Sequence, residues 1–325
     1  MPKHAPDTLS VVADIGGTNT RVALAEGRDL KQDTIRRYSN GDFGSLEQVL
    51  RQFVSDEDDV DAKAVCVAVA GPVRDGKASM TNLDWTIDKE TLSRATQSET
   101  VAILNDLQAQ GHALGHIAPE NLRDILDGKP APDHAARLVV GVGTGFNAAP
   151  VFNAASGRIV PPSESGHANL PIRTEQELRL CQFVSNAHGF PAVEDVLSGR
   201  GLERVYAFLG EEAGDHRDAR AADIMAACEA GDDPRATEAA RIFVRILGTV
   251  CGNLSLIQLP FGGVFLVGGV ARAMAPHLHN FGFVEAFHDK GRFAGFMGNF
   301  SVQIVEDDYA ALTGCAAHLE DLLST

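Results

Sequence analysis

The chain has 325 residues, 44% of them hydrophobic, with 28 basic against 44 acidic side chains, a formal net charge of −16 and a pI near 5.0. That is enough apolar sequence for the cores of two domains. The acidic balance disfavours nucleic-acid and membrane-surface roles, since neither a phosphate backbone nor an anionic bilayer attracts such a surface.

The opening "MPKHAPDTLS" has no apolar run of the kind a targeting signal needs, and no later segment approaches the ~18 uninterrupted apolar residues of a membrane span. Cys66, Cys181, Cys228, Cys251 and Cys315 are widely scattered, with no C-x-x-C pair. They read as reduced, mostly buried thiols of a cytoplasmic protein.

The first half alternates strands with helices. "LSVVADIGG" and "TRVALAEG" read as strands, "SLEQVLRQFVSD" as an amphipathic helix, "AKAVCVAVAG" as a buried strand, "KETLSRATQ" as a helix and "TVAILND" as another buried strand. Such interleaving predicts an α/β sheet. The second half opens with "ARLVVGVGTG" and "NAAPVFNA", a strand, a glycine turn and a strand. Thr174 and Glu177 have capping-box spacing ahead of a helix with Leu178, Cys181 and Val184 on its apolar face and Gly189 as its stop. "DPRATEAARIFVRILGTVCGNLSLIQLP" predicts a long buried helix ending before Pro260, with Gly248 and Gly252 as close-packing points. "GGVFLVGGVARAM" reads as strand, Gly–Gly turn and helix start, "SVQIVED" as the last strand and "YAALTGCAAHLEDLL" as a terminal helix.

One internal echo stands out. "VVADIGGTNTRVAL" (11–24) and "VVGVGTGFNAAPV" (139–151) each run an apolar strand into a Gly/Thr turn that reverses into a second strand. Rossmann and Walker-type loops lead instead into a helix, and neither of their glycine signatures occurs here. The pair predicts a duplicated domain with a ligand between the copies. Glycines in such turns are expected to reach positive φ and to let backbone N–H groups approach an anion.

Asp14 precedes Gly16 and Gly17 at the end of a strand, where a carboxylate could hold Mg²⁺ directly or through water, although Asp is also a common turn residue. Asn105 and Asp106 stand where an apolar strand gives way to a helical stretch. Either could simply cap the helix. Glu164 and His167 lie three apart in "PPSESGHANL", a predicted loop. A pair of this kind is more often a hydrogen-bonding unit than a metal site. Glu194 reads as a first-turn acid of a helix, favoured there by the helix dipole. Together Asn105, Asp106, Glu164, His167 and Glu194 are an acceptor-rich set suited to the hydroxyls of a sugar, bracketed by two candidate phosphate loops. That combination suggests a sugar kinase.

On these segments the chain resembles the bacterial glucokinases of the hexokinase/actin-like ATPase superfamily. "ADIGGTNTRVAL" is similar to their first phosphate loop, "MTNLDW" (80–85) to the segment before the interdomain region and "LND" to their substrate-and-base motif. "GTG" at 143–145 resembles the second phosphate loop, "E-x-G-H" at 164–167 and "E-x-V-L-S-G" at 194–199 the sugar contacts, "GGVFLVGGV" at 262–270 the adenosine segment and "HDKGRF" (288–293) a further family segment. The resemblance runs from about residue 10 to 320.

It implies an α/β, two-domain actin-like ATPase (ribonuclease H-like) fold with a central cleft, a small domain of residues 1–107 plus 301–325, and a larger α+β domain of residues 108–300. It implies that Asp106 is the catalytic base and that Asn105, Asp106, Glu164, His167 and Glu194 bind glucose. ATP would lie against Ala13, Asp14, Ile15, Gly16, Gly17, Thr18 and Asn19, against Thr144 and Gly145, and against Gly268 and Gly269. Mg²⁺ would be held by Asp14 through water. A cytoplasmic homodimer is expected, and no zinc, because the cysteine-rich motif of the related repressor/kinase group is missing.

Two departures bear on specificity. The family writes G-E-G-G-H where this chain has Ser163–Glu164–Ser165–Gly166–His167, and G-T-G-L-G where it has Gly143–Thr144–Gly145–Phe146–Asn147. The added hydroxyls could alter the sugar range, so a kinase for another hexose or an amino sugar is the alternative, as is polyphosphate for the donor. A sugar-sensing regulator of the same fold would need a DNA-binding module, for which the first strand, beginning near residue 9, leaves no room.

Overall fold

Alternate residues of the first strand point into two different cores, which fixes the layering of the N-terminal sheet. The computed structural model describes residues 9–80, 83–154 and 157–324. The readings made for the first eight residues and for Thr81 and Asn82 of "MTNLDW" lie outside them. Two compact units emerge, one from Met1–Pro119, Val151–Pro162 and Asp307–Thr325, the other from Glu120–Pro150 and Ser163–Glu306. Their boundaries thus fall after Pro119 and Glu306, where the sequence reading put 107 and 301, and Val151–Pro162 groups with the first unit.

In the first unit, β1 (Leu9–Ile15) pairs antiparallel with β2 (Asn19–Glu26) and parallel with β3 (Ala64–Val69), which pairs parallel with β4 (Thr100–Asn105). Short strands at Asp29–Leu30 and Arg36–Ser39 extend β2. Val11, Ala13 and Ile15 of β1 and Val65, Val67 and Val69 of β3 meet Leu46, Val49, Leu50 and Phe53 of α1 (Leu46–Asp56) and Leu92 of α2 (Lys89–Thr96). On the opposite face, Val12, Cys66 and Ala68 meet Leu312, Cys315 and Leu319 of the C-terminal helix (Ala310–Leu323). Burial on both faces explains why β3 reads as an unbroken apolar run. The same helix packs on α3 (Asp106–Ala113) so closely that a Cβ at Gly314 would collide with the Ala109 carbonyl. A three-stranded sheet of very short strands (Val73–Arg74, Lys77–Ser79, Thr86–Asp88) also belongs to this unit, next to the buried Trp85.

The second unit repeats the plan. β6 (Arg137–Val142) turns back into β7 (Phe146–Ala154) and runs parallel to β8 (Val264–Val267), which runs parallel to β9 (Val302–Val305). β5 (Leu122–Leu126) closes the far edge antiparallel to β9. A hairpin followed by two parallel strands therefore occurs twice, as the sequence echo predicts. β7 carries the chain from the second unit into the first, where its end pairs with Gly157–Ile159.

Helices fill the rest of this unit. α4 (Glu175–His188) has the predicted Thr174/Glu177 capping box and ends at Gly189 (φ 81°). Its buried face is Glu177, Leu180 and Val184, while Leu178 is 44% exposed, so the apolar stripe keeps Val184 but runs through Leu180 and not Leu178. α5 (Gly199–Ala213), α6 (Ala221–Ala230) and α7 (Pro234–Gln258) follow, with short helices α8 (Gly269–Met274) and α9 (Phe283–His288). α7 is long and apolar enough to cross a membrane by length and composition, although Arg245, Thr249 and Asn253 keep its apolar runs far short of ~18 uninterrupted residues. Residues such as Phe243, Leu247 and Cys251 make it a core helix. Cβ atoms at Gly248 and Gly252 would strike the Phe283 and Phe287 carbonyls of α9, so both are close-packing points.

Candidate active site

The parallel strands of the first unit end in register, Ile15 beside Val69 and Val69 beside Asn105. The β1–β2 turn and the Asn105–Asp106 pair consequently lie at the same edge of the sheet, two strand spacings or roughly 10 Å apart. Strand ends of this kind are where α/β sheets present ligand-binding groups. Ala13, Ile15 and Thr20 are buried, whereas Gly17 and Thr18 are exposed at the turn's tip. The Gly16 N–H donates to the Asn19 carbonyl at 3.0 Å and closes the turn. Buried Asn40 braces it from below. Its Nδ2 donates to the Gly16 carbonyl (2.8 Å), its Oδ1 accepts from Thr20 Oγ1 (2.8 Å), and its backbone N–H reaches the Thr18 carbonyl (2.9 Å).

Asp14 is partly buried behind this turn and faces Arg21 at 3.6 Å. Burial pushes its carboxyl up to about 6; the Arg21 guanidinium opposes that shift and the nearby Asp106 carboxylate adds to it. Two neighbouring carboxylates are a suitable donor set for a hard divalent cation, which would relieve the repulsion that Asp106 exerts on Asp14. The described residues contain no cluster of three or more His, Cys, Asp or Glu positioned for a metal ion.

Capping at the strand–helix junction falls to Asn105. Its Oδ1 accepts from the Gln108 N–H at 2.6 Å, and Gln108 Oε1 accepts from the Asn105 N–H at 3.2 Å, a complete capping box. Gln108 Nε2 also donates to the Val160 carbonyl (2.8 Å), tying the box to a neighbouring segment. Asp106 is then the first helical residue, exposed, with Oδ1 accepting from the Leu107 N–H at 2.9 Å. The two readings of the pair thus separate: Asn105 is the cap, and the Asp106 carboxylate is presented to solvent.

In the second unit, β6 and β8 end beside each other, Gly141 opposite Val267. The Gly143–Gly145 turn and the Gly268–Gly269 step follow directly. Gly143 N–H donates to the Gly145 carbonyl (2.9 Å), and the Gly199 N–H donates to the Gly143 carbonyl (2.9 Å). Thr144 is exposed at the tip. Gly268 is left-handed (φ 104°), but Gly16 of the first turn and Gly143 and Gly145 of the second are not among the positive-φ glycines, which corrects the expectation for these turns. What Gly145 supplies is space. A Cβ there would lie 2.5 Å from Glu194 Oε2. Gly268 likewise abuts the Val142 carbonyl, 2.6 Å from where a Cβ would stand.

Glu164, His167 and Glu194 are brought together. The Glu164–His167 loop crosses β7 so tightly that a Cβ at Gly166 would overlap the Phe146 carbonyl, with the Glu194 Cβ 3.5 Å from the same position. Val193 N–H donates to the Ala168 carbonyl (2.9 Å), joining the two loops. Glu194 Oε2 accepts from the Phe146 N–H at 2.9 Å, and its Oε1 lies 4.0 Å from Arg200. Glu164 and His167 are 4.0 Å apart, with side chains 71% and 66% exposed. Glu194 sits in a 3₁₀ turn, Val193–Asp195, and not in the first turn of the long helix, which starts at Gly199 with Ser198 as its cap. Lys290 of "HDKGRF" is a packing residue, half-buried against Gly252, its ammonium 3.2 Å from the Thr249 carbonyl.

The doubled hairpin-plus-parallel-strand plan, with a glycine turn on each sheet and carboxylates at the strand ends, defines a member of the actin-like ATPase fold class, equipped with an acceptor-rich site. The chain belongs to the glucokinase family, whose family model matches residues 11–322. A glucokinase of *Sinorhizobium fredii* is 32% identical over 98% of this chain and 94% of its own length. The crystal structure of a glucokinase from an Antarctic psychrotroph superposes with a TM-score of 0.87 at 29% identity, covering 96% of this chain and 99% of that one. A ROK family glucokinase from *Streptomyces griseus*, solved with glucose and AMPPNP, has the same fold (TM-score 0.61, 19% identity, 96% and 98% covered).

Proposed function

We propose that this chain transfers the γ-phosphoryl group of ATP to the 6-hydroxyl of glucose, giving glucose 6-phosphate and ADP, with Asp106 as the general base. The observation that carries the assignment of the base is the division of labour at the strand–helix junction. Asn105 completes the cap with Gln108, and the neighbouring carboxylate is left exposed at the helix N-terminus. Family membership and the glucose and AMPPNP complex of the *Streptomyces griseus* neighbour support the two substrates.

The transition state of phosphoryl transfer is loose, so positioning and charge stabilisation dominate. Asp106 accepts a hydrogen bond from the 6-hydroxyl, orients it and takes its proton as the new O–P bond forms. Glu164, His167, Glu194 and Asn105 bind the remaining hydroxyls. The fixed Glu194 carboxylate, held by the Phe146 N–H, is already oriented before sugar arrives. Ala13 to Asn19, Thr144–Gly145 and Gly268–Gly269 take the nucleotide, and the exposed tips at Gly17, Thr18 and Thr144 approach its phosphates. Asp14 would hold Mg²⁺ through water; when bound, the ion neutralises phosphate charge. A homodimer acting in the cytoplasm at the entry to glycolysis completes this reading.

A coupled assay over a panel of hexoses and amino sugars, run with ATP and with polyphosphate, tests it. Highest kcat/KM for glucose with ATP is expected. A higher value for another sugar or for polyphosphate would overturn the assignment of substrate or donor.

A further inference from the structure

Three of the positions at which this sequence departs from the family pattern, Asn147, Ser163 and Ser165, are bonded to one another. Asn147 Oδ1 accepts three hydrogen bonds, from the Ala148 N–H (2.8 Å), the Ser165 N–H (3.0 Å) and the Ser165 hydroxyl (3.1 Å). Its Nδ2 donates to the Ser163 carbonyl. The pattern fixes the amide's orientation, because a flipped amide would set its NH₂ against two N–H donors and its oxygen against a carbonyl. One side chain on β7 therefore grips the loop on both sides of Glu164, at Ser163 and Ser165. Just beyond, Gly166 presses on the Phe146 carbonyl and leaves the loop no room to settle closer to the strand.

We infer that Asn147 is a positioning residue for sugar recognition, setting where the Glu164–His167 loop presents its side chains. This inference rests on the glucose-kinase reading above. Glu164 and His167 are well exposed and only 4.0 Å apart, with a loose mutual contact, so little in the two side chains themselves holds them in place. Their placement comes from the backbone that carries them. The Ser165 hydroxyl is a component of the clamp. Its influence on sugar range acts through the position of the loop and not through direct contact with sugar.

The two substitutions at Asn147 act differently. Asn147→Ala deletes all four bonds. Asn147→Asp keeps the acceptor but turns a carboxylate oxygen toward the Ser163 carbonyl, so it breaks the grip on that side of Glu164 by repulsion. Ser165→Ala removes one bond of the four.

The test combines kinetics with hydrogen exchange on the full-length enzyme. Asn147→Ala should raise KM for glucose about tenfold, the equivalent of about 1.4 kcal/mol, with less than a threefold change in KM for ATP. Ser165→Ala should raise it about twofold, and Asn147→Asp should fall between Ser165→Ala and Asn147→Ala. Exchange at the Ser165 amide should accelerate in Asn147→Ala while the α7 amides stay protected, showing that the fold is intact. A glucose KM within twofold of wild type in Asn147→Ala despite faster exchange at Ser165 would overturn the inference, as would an equal rise in both KM values. Unchanged exchange at Ser165 would overturn the clamp itself. Failure of the wild-type enzyme to phosphorylate glucose in the same assay would overturn the functional reading on which it rests, and is distinguishable because it needs no variant.

Discussion

Replacing Asp106 by Asn separates the structural from the chemical work done at the start of α3. The amide keeps the size of the carboxylate and can still accept the Leu107 N–H bond of 2.9 Å through its oxygen. The capping box of Asn105 and Gln108 does not involve Asp106 and is untouched. What folding loses is one favourable charge at a helix N-terminus, typically ~0.3–1 kcal/mol, offset in part by removing the repulsion on Asp14. The melting temperature should therefore change by no more than about 3 °C. Catalysis loses its proton acceptor, and general-base removal costs ~10²–10⁴ in kcat, or about 2.7–5.4 kcal/mol of barrier. Steady-state kinetics at saturating glucose and ATP, thermal melts and glucose calorimetry would read the three quantities on one preparation. Glucose binding should persist at reduced affinity through the remaining contacts. A folded Asp106→Asn enzyme with near-wild-type kcat would refute the assignment and leave the carboxylate as part of the helix terminus only.

Gly145→Ala places a methyl 2.5 Å from Glu194 Oε2 and should push that carboxylate off the Phe146 N–H, raising KM for glucose by about tenfold with little loss of stability; an unchanged KM would show that Glu194 does not touch sugar. Gly314→Ala drives a methyl into the Ala109 carbonyl between two packed helices, an overpacking penalty of about 3 kcal/mol that should lower the melting temperature by roughly 6 °C or more. A smaller drop would mean that the helices separate at little cost. Asp14 holds its proton more tightly in the folded state than in the unfolded chain, about 6 against 3.8. In metal-free protein its contribution to stability should accordingly fall as pH rises from about 4 to about 6 and stay flat above, by at most ~3 kcal/mol. Comparing wild type with Asp14→Asn in chemical denaturation across that range checks it, and an identical pH slope in the two proteins would refute the shift.

Local signals were the legible ones. The Thr174/Glu177 capping box, the stop at Gly189 and the close-packing glycines of α7 all follow from spacing a few residues long, and the doubled glycine hairpin disclosed the repeated sheet plan. Asn-x-x-Gln at 105–108 carried the capping box in plain view, although the choice between Asn105 and Asp106 as cap needed the structure. The shifts came where neighbours distant in sequence decide. Leu178 has the right period for α4 but faces solvent, because the face that meets the core runs through Leu180 and Val184. Glu194 was assigned to a helix that begins only at Gly199, since the intervening 3₁₀ turn has no periodic signature. Asn40, which braces the first turn from 20 residues downstream of Thr20, and Asn147, which holds a loop 16 residues ahead, announce nothing locally. The small sheet of two- and three-residue strands is too short for any alternation to register.

The covering of the first sheet by the C-terminal helix sets an order on how this protein can be made. Val12, Cys66 and Ala68 leave the ribosome well before the Leu312, Cys315 and Leu319 side chains that shelter them. Until that helix emerges, this face of the mixed sheet has only the cover that α3 gives through Ala109, while the strands and helices of the second unit through Glu306 are already available to pack on one another. Synthesis therefore passes through a stage in which the later half can consolidate before the earlier half can close, with an exposed sheet face that aggregation or a chaperone would find first.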